Sequence, residues 1–205
     1  MSTPNTLYHE GQRQLQDQFD TRRLADHMAQ KIATDFLSDK QKSFIERADM
    51  FFLATADALG RPSCSYKGGD PGFVRVLDPQ TLAFPNYDGN GMYISWGNAL
   101  TNPHVALLFI DFEKGHRLRI AGTATITPND PLLPTYPGAQ FIARIQVREV
   151  YPNCPRYIHK YTLVERSPYT PHADEPTPIP AWKCSPDIRD TLPANDPARR
   201  PPMAM

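Results

Sequence analysis

The first third of the chain carries apolar residues at helical spacing. Between positions 7 and 36 an apolar stripe runs through Leu15, Phe19, Leu24, Met28 and Ile32, and charged or amide residues fill the other positions. Asp20-Thr21 interrupts this stripe, which therefore predicts two helices in sequence. Ser38 followed by Gln41 has the form of a capping box and predicts a short third helix over 39–48. We expect residues 1–48 to form a helical extension that packs on the domain behind it.

From position 50 onward the pattern changes to short apolar or alternating runs separated by turn residues. The runs cover 50–56, 62–67, 74–77, 81–84, 105–110, 117–127 and 141–150, with glycine, proline or aspartate between most of them. Short strands at such close spacing favour an antiparallel barrel. The predicted fold is therefore mainly β (α+β): a six-stranded antiparallel split barrel over residues 49–166, with N-terminal and peripheral helices.

One stretch, 84–112, departs from a plain strand-turn-strand pattern. It has a strand-like start, the turn Asp88-Gly89-Asn90-Gly91, a short helical segment that stops at Asn102-Pro103, and a wholly apolar run. Glycines allow backbone N–H groups to approach a ligand, and a helix start behind them favours an anion. The stretch predicts an anion or cofactor cradle between two strands. An ordinary turn that joins a helix to a sheet explains the spacing equally well.

Composition excludes several classes of function. The chain has 205 residues, a formal net charge of zero and no apolar run of membrane-spanning length, so neither nucleic acid nor a membrane is the expected partner. Its N-terminus has no pattern of a signal peptide, and its three cysteines fit neither a disulfide framework nor a metal site. We therefore expect a cytoplasmic protein without a structural metal.

Proline is unusually frequent, with 22 residues, and many of them follow Pro168. Proline lacks the N–H that helices and central strands require. Residues 167–205 are therefore predicted to be a C-terminal arm without helix. Its last part, 186–205, would either be mobile or lie extended on the surface or on a partner subunit.

The order of these elements resembles the FMN-binding split-barrel family of pyridoxamine 5'-phosphate oxidase, over roughly residues 44–161. The residues that carry the resemblance are the hairpin FFLATADALGRPSCSYKGG, the segment GFVRVLD, the stretch FPNYDGNGM with its helix and NPHVALLFIDF, the strand RLRIAGTATI and the late NCPRYIHK. The N-terminal helices resemble an extension found in a less characterised branch of this family rather than in the oxidase itself.

The resemblance implies a homodimer that holds FMN in a cleft between its subunits. It also implies roles for particular residues: Lys67 and Arg75 would hold the phosphate, Val76 and Leu77 would place backbone against the flavin, and Pro85 and Asn86 would flank it. The turn Asn90-Gly91-Met92 falls where the oxidase has a serine and two basic residues, and would help through the Asn90 side chain and its backbone amides. Arg117 would reach the cofactor from the neighbouring subunit.

Two departures from the family pattern affect these expectations. Gly91 and Met92 stand where the oxidase has basic residues, so they cannot neutralise a phosphate, and binding of FMN should be weaker. A deazaflavin is an alternative cofactor. The substrate-binding arginine and histidine of the oxidase have no clear copy here, although Arg156 and His159 lie in the nearest analogous region.

The sequence therefore predicts an FMN-dependent oxidoreductase that acts on an unidentified small molecule, with a nicotinamide as one possible electron donor. Its catalytic residues are not identified, and Arg156 and His159 are only weak candidates. The alternatives are a flavin-binding carrier or sensor without turnover and a dimeric barrel without any cofactor.

Overall fold

Seven strands form one antiparallel sheet in the computed structural model, which describes residues 7–199. The strands are β1 Met50–Ala56, β2 Pro62–Gly68, β3 Arg75–Asp78, β4 Thr81–Tyr87, β5 His104–Asp111, β6 His116–Thr127 and β7 Ala139–Asn153. Their order across the sheet is β2-β1-β5-β6-β7-β4-β3. The helices are α1 Glu10–Gln18, α2 Arg22–Ile32, α3 Asp39–Arg47, α4 Ile94–Thr101 and α5 Pro186–Arg189.

The prediction of a six-stranded barrel is wrong in two respects, because the sheet has seven strands and is not closed. The edges are β2 and β3, which do not pair with each other in the described part of the chain. β3 has only four residues, and its pairing with β4 shifts register between Val76 and Asp78. Pro71, in the connection between the two edges, cannot donate to a ladder. The mainly β, antiparallel class with added helices is confirmed.

Aromatic side chains from several strands fill the core on one side of the sheet. Phe51 of β1, Phe84 of β4 and Phe109 of β5 are fully buried. The ring of Phe51 lies 4.9 Å from that of Phe84 and 5.0 Å from that of Phe109, between ring centroids. Because these strands are distant along the chain, the contact joins both halves of the sheet. Such aromatic pairs add stability beyond the burial of their area.

The N-terminal helices agree with the predicted break, but their apolar stripe is not buried. α1 ends at Gln18 and α2 begins at Arg22, while Leu15, Phe19 and Leu24 are each more than half exposed. The two helices instead meet through polar groups, including an ion pair of 2.6 Å between Arg13 and Asp26. The predicted helix also ends early, at Ile32, because the backbone beyond it pairs with Val150 of β7.

The capping box that the sequence predicts for the third helix is present. The backbone N–H of Gln41 donates to Ser38 Oγ at 3.4 Å, and that of Ser38 donates to Gln41 Oε1 at 2.8 Å. Ile45 of α3 is fully buried in the main core. This helix therefore begins at its polar cap and is held to the core by Ile45 and by the partly buried Phe44.

Residues 163–199, the described part of a second compact unit, contain a helix, so the prediction of a tail without helix is wrong. The end of the predicted arm, 200–205, lies outside the described residues. Pro186 begins α5, which is possible because the first helical residue needs no intrahelical N–H bond. Short 3-10 turns cover Ala181–Cys184 and Pro197–Arg199. Within this unit Lys183 Nζ and Asp196 Oδ2 form a buried ion pair of 2.7 Å.

Across residues 7–199, the helices are too short or too polar to cross a lipid bilayer.

Candidate functional site: a cavity between strand β2 and helix α4

A cavity of about 340 Å³ lies between β2, the connection from β4 to α4, and the first turn of α4. It is lined by Ser63, Cys64, Ser65 and Lys67 of β2, by the continuous run 86–96, and by Gln140 at the start of β7. The run 86–96 contains the glycine turn that the sequence marked as a cradle. The cavity is therefore built where a strand end, a turn and a helix start meet.

Lys67 supplies positive charge to this cavity. Its ammonium lies 5.4 Å from the centroid of the Trp96 ring, and no carboxylate among residues 7–199 pairs with it. Burial lowers the pKa of Lys67, because the charged form is poorly solvated there. An unpaired ammonium in a concave site favours an anionic ligand, which would replace the lost solvation.

The turn before α4 adds backbone donors to the same cavity. Gly91 has a φ of +75°, a conformation that glycine adopts without strain, and Asn90 Oδ1 accepts from the Met92 N–H at 3.1 Å. Tyr93, the residue before the helix, is itself left-handed with a φ of +47° and provides no side-chain cap. The first N–H groups of α4 therefore lack a side-chain acceptor, and a helix start in this state attracts negative charge.

A hydrogen-bond network forms one wall of the cavity. The Trp96 Nε1–H donates to Asn86 Oδ1 at 2.6 Å, and Asn86 Nδ2 donates to the Tyr87 carbonyl at 3.1 Å and to Gln140 Oε1 at 2.9 Å. The Tyr93 hydroxyl donates to the same Gln140 oxygen at 2.9 Å. Both Asn86 and Trp96 are buried. The network therefore fixes the side chains that line this wall.

Two further contacts attach α4 to the sheet. The hydroxyls of Ser65 and Ser95 lie 3.1 Å apart and join β2 to the first turn of α4. Asn98 Nδ2 donates to Thr55 Oγ1 of β1 at 3.1 Å. These bonds hold the start of α4 against β2. The Lys67 ammonium and the first N–H groups of α4 therefore stay at a fixed distance from each other.

Half of the cofactor-binding residues predicted from the sequence line this cavity. They are Lys67, Asn86, Asn90, Gly91 and Met92. The other half, which do not line it, are Arg75, Val76, Leu77, Pro85 and Arg117. Lys67 and the predicted turn thus line the same cavity, whereas Arg75 does not line it.

Arg75 is engaged on a different part of the surface. Its Nη1 donates to Thr135 Oγ1 at 2.9 Å, and its guanidinium lies 4.3 Å from the centroid of the Tyr136 ring. Burial raises the pKa of Tyr136 to about 12, and its hydroxyl has no partner among residues 7–199. In this conformation Arg75 stabilises the connection between β6 and β7.

The remaining predicted residues are part of the sheet or lie outside the cavity lining. Val76 and Pro85 are buried, the Val76 N–H donates to Glu46 Oε1 at 3.3 Å, and Leu77 lies at the register shift of β3. Arg117 Nη2 donates to the Cys154 carbonyl at 2.9 Å, while its Nε is buried without a partner among residues 7–199. The weak catalytic candidates Arg156 and His159 are exposed and do not line the cavity.

Ser63, Ser65 and Gln140 are among the polar residues of the cavity that sequence reasoning missed. The serines had a usable signal, because they alternate with exposed residues along β2 and share the side of Lys67. Gln140 had no local signal, because its position depends on the pairing of β7 with β4. Trp96 belongs both to the core and to the cavity wall.

Comparisons with known proteins find similar solved structures and a matching family. Solved structures similar to the chain include a putative pyridoxamine 5'-phosphate oxidase from Lactobacillus delbrueckii, at 25% identity, a TM-score of 0.48, and coverage of 58% of this chain and 95% of that one. HupZ from Group A Streptococcus is similar at 20% identity and a TM-score of 0.46, with 57% and 93% covered. An FMN-binding protein from Syntrophomonas wolfei is similar at 9% identity and a TM-score of 0.42, with 68% and 97% covered.

No curated protein sequence matches the chain significantly. The family model described as pyridoxamine 5'-phosphate oxidase matches residues 37–168, which is more than half of the chain and includes the sheet, the glycine turn and α4. The chain therefore belongs to the pyridoxamine 5'-phosphate oxidase family.

Proposed function

We propose that this protein binds FMN in the cavity between β2 and α4 and is an FMN-dependent oxidoreductase acting on a small molecule. The observation that carries the proposal is the unpaired ammonium of Lys67 beside a glycine turn and the uncapped start of α4. These groups suit a phosphate, since an ammonium and free backbone N–H groups are both donors to anions. Membership of the family supports the choice of a flavin.

The residues of the cavity fit a flavin phosphate, but only part of the cofactor. The volume of about 340 Å³ is near the lower end of the range of roughly 300–1,000 Å³ typical of ligand pockets. Gly91 and Met92 add no charge, so Lys67 is the basic side chain among the lining residues. We therefore expect modest affinity and propose that a second subunit completes the site.

Flavins supply the redox chemistry themselves when bound, and the protein provides binding, orientation and exclusion of water. In this chain Lys67 and the start of α4 would hold the anionic end. Trp96 would form an apolar wall, because its ring already lies beside the ammonium. The hydroxyls of Ser63 and Ser65 would offer adaptable hydrogen bonds along β2.

The direct test is a titration of the purified full chain with FMN, in which the quenching of flavin fluorescence measures binding. Lys67→Gln should weaken binding about 10- to 150-fold, the equivalent of losing one charge-assisted hydrogen bond of roughly 1.5–3 kcal/mol. Lys40→Gln, on the exposed first turn of α3, is the matched control and should bind like wild type. Equal affinity of wild type and Lys67→Gln would contradict the phosphate assignment, and a wild-type chain that takes up no flavin would refute the proposal.

The same titration with Arg75→Gln compares the contributions of Lys67 and Arg75, the two basic residues that were predicted to hold the phosphate. Because Arg75 is bonded to Thr135 and stacked on Tyr136, we expect its replacement to affect FMN less than that of Lys67. The reverse order would mean that Arg75 leaves these partners when the cofactor binds.

A second candidate function is a flavin carrier or sensor without turnover. The observation that favours it is that Arg156 and His159, the weak candidates for catalysis, do not line the cavity. Bleaching of the bound flavin by NADH or NADPH and its return in air would support the oxidoreductase. Colour that no donor bleaches would support the carrier. A deazaflavin titrated in parallel would show which ring system binds more tightly.

A further inference from the structure

A chain of hydrogen bonds that starts at Trp96 sets the orientation of the Gln140 amide in the cavity wall. An indole N–H can donate a hydrogen bond but cannot accept one. Since Trp96 Nε1 donates to one side of the Asn86 amide at 2.6 Å, that side must be the oxygen. The Asn86 Nδ2 group then points the other way, and its two N–H bonds go to the Tyr87 carbonyl and to Gln140.

The amide of Gln140 is fixed by the same logic. It receives one N–H from Asn86 and the hydroxyl hydrogen of Tyr93, both at 2.9 Å, so the atom that receives them must be its oxygen. The Nε2 group is left with two N–H donors. Among residues 7–199 neither donor has a partner, although Gln140 lines the cavity. The network therefore orients Gln140, an exposed residue of the cavity lining, and leaves its two Nε2–H donors without a protein partner in the described part of the chain.

We propose that Gln140 recognises the ring system of the ligand, by donating from Nε2 to a neutral acceptor on the edge of that ring. The inference rests on the proposed function, and in a flavin the acceptors are the carbonyl oxygens of the pyrimidine ring and its unprotonated ring nitrogens. The anionic end of the ligand belongs to Lys67, which lies over the Trp96 ring, whereas Gln140 is neutral.

Trp96, Asn86 and Tyr93 are positioning residues in this assignment. Each holds the amide of Gln140 directly or through Asn86, and none of their hydrogen bonds needs to break when a ligand arrives. Gln140 is exposed in the free chain, where water can bond to its Nε2 group. A ring that covers this donor without offering an acceptor would leave it buried and unpaired, and would therefore bind less tightly. The site would thus prefer rings with carbonyl or pyridine-like acceptors over hydrocarbon rings of equal size.

The substitution Gln140→Glu tests the donors without removing the rest of the side chain. The carboxylate has the same shape and keeps an oxygen for Asn86 and Tyr93, but it replaces the NH₂ group with a second acceptor. In titrations of the full chain with FMN at pH 8, affinity should fall about tenfold or more. Gln146→Glu is the matched control, since Gln146 lies on the same strand, donates to the Gln80 carbonyl and does not line the cavity.

Lowering the pH supplies a readout that a purely structural role would not move. A protonated carboxyl carries one O–H donor, and glutamate normally protonates near pH 4.3. The affinity of Gln140→Glu, taken relative to wild type at each pH, should therefore recover between pH 8 and pH 4. Gln146→Glu should show no such recovery. Circular dichroism reports whether each variant is folded. If Gln140→Glu is not folded, Gln140→Met, whose side chain has no donor at any pH, is measured in its place.

Each outcome of these titrations decides the assignment. Weaker binding by Gln140→Glu with recovery in acid supports it, as does weaker binding by Gln140→Met that does not change with pH. Unchanged affinity in the variant used, an equal loss in Gln146→Glu, or a loss in Gln140→Glu without acid recovery would overturn the assignment while the proposed FMN site stands. A wild-type chain that binds no FMN would overturn the proposed function and this assignment together.

Discussion

A single lysine, Lys67, supplies the basic side chain of the candidate site. Lys67 is one of two basic residues that the sequence placed at the phosphate, and it is the one that lines the cavity. Alternation along β2 predicts that it shares a side with Ser63 and Ser65. Alternation does not predict which side chains of other strands lie nearby. The sequence therefore could not show that Arg75 lies outside the cavity that Lys67 lines.

The lowered pKa of Lys67 should make the proposed binding of FMN sensitive to alkaline pH. Only the protonated ammonium attracts a phosphate, and burial lowers the pKa of Lys67 from the usual value of about 10.4. FMN affinity should therefore decrease as the pH rises through this lowered pKa, where the phosphate itself no longer titrates. Titrations between pH 7 and pH 10 should give a sloping profile for wild type and a flat one for Lys67→Gln. Parallel profiles would show that another group is responsible.

Gly122 illustrates a residue whose identity is set by close backbone approach. It follows the register shift of β6 against β7, and a Cβ atom there would lie 2.3 Å from the Gln146 carbonyl oxygen. Gly122→Ala should destabilise the fold by roughly 1–3 kcal/mol, because two central strands must move apart. The midpoint of guanidinium unfolding measures this loss. Gly97→Ala in α4 is the control, since its Cβ would meet no atom within 4 Å, and it should be neutral or slightly stabilising.

At the scale of elements, strands were easier to predict than their connections. The runs with period two became strands because alternate residues bury on one side of a sheet. The connection between β6 and β7 depends on a contact that periodicity does not report, the bidentate bond of Arg144 to Asp130. Arg144 Nε and Nη2 donate to the two carboxylate oxygens at 2.5 and 3.0 Å, and the Asp130 side chain is buried.

This ion pair should make stability depend on acid pH. The hydrogen bonds from Arg144 lower the pKa of Asp130, so the contribution of the pair is fully present above the unfolded pKa of about 3.9. It is lost as the pH falls through the lower folded pKa. Denaturation at pH 7 should show Asp130→Asn to be less stable by roughly 1–3 kcal/mol. Between pH 4 and pH 2 the gap to wild type should shrink.

The control for this prediction is Glu113→Gln, an exposed carboxylate without a hydrogen bond or ion pair in the described part of the chain. It should match wild type in both measurements. A gap between Asp130→Asn and wild type that stays constant from pH 7 to pH 2 would show that the loss comes from packing rather than from charge.

At the scale of the whole molecule, we expect two chains to share the cofactor. One chain offers a cavity near the lower size limit for a ligand site, with one basic side chain in its lining. We therefore propose that the homodimer expected from the sequence completes the site. Sedimentation velocity should therefore give a dimer at micromolar concentration. FMN affinity should fall on dilution below the dissociation constant of the dimer. A monomer that binds FMN with undiminished affinity would contradict this expectation.

The sequence alone determined the local elements and the family. Apolar periodicity located the strands, the Ser38 box placed the start of α3, and the glycine turn marked the wall of the cavity, because each depends on residues within one turn or strand. The tertiary structure decided which distant groups meet. Lys67 reaches the cavity while Arg75 stacks on Tyr136, and the Gln140 side chain accepts a hydrogen bond from Asn86, 54 residues earlier. Such contacts follow from strand order and register, which local patterns do not encode.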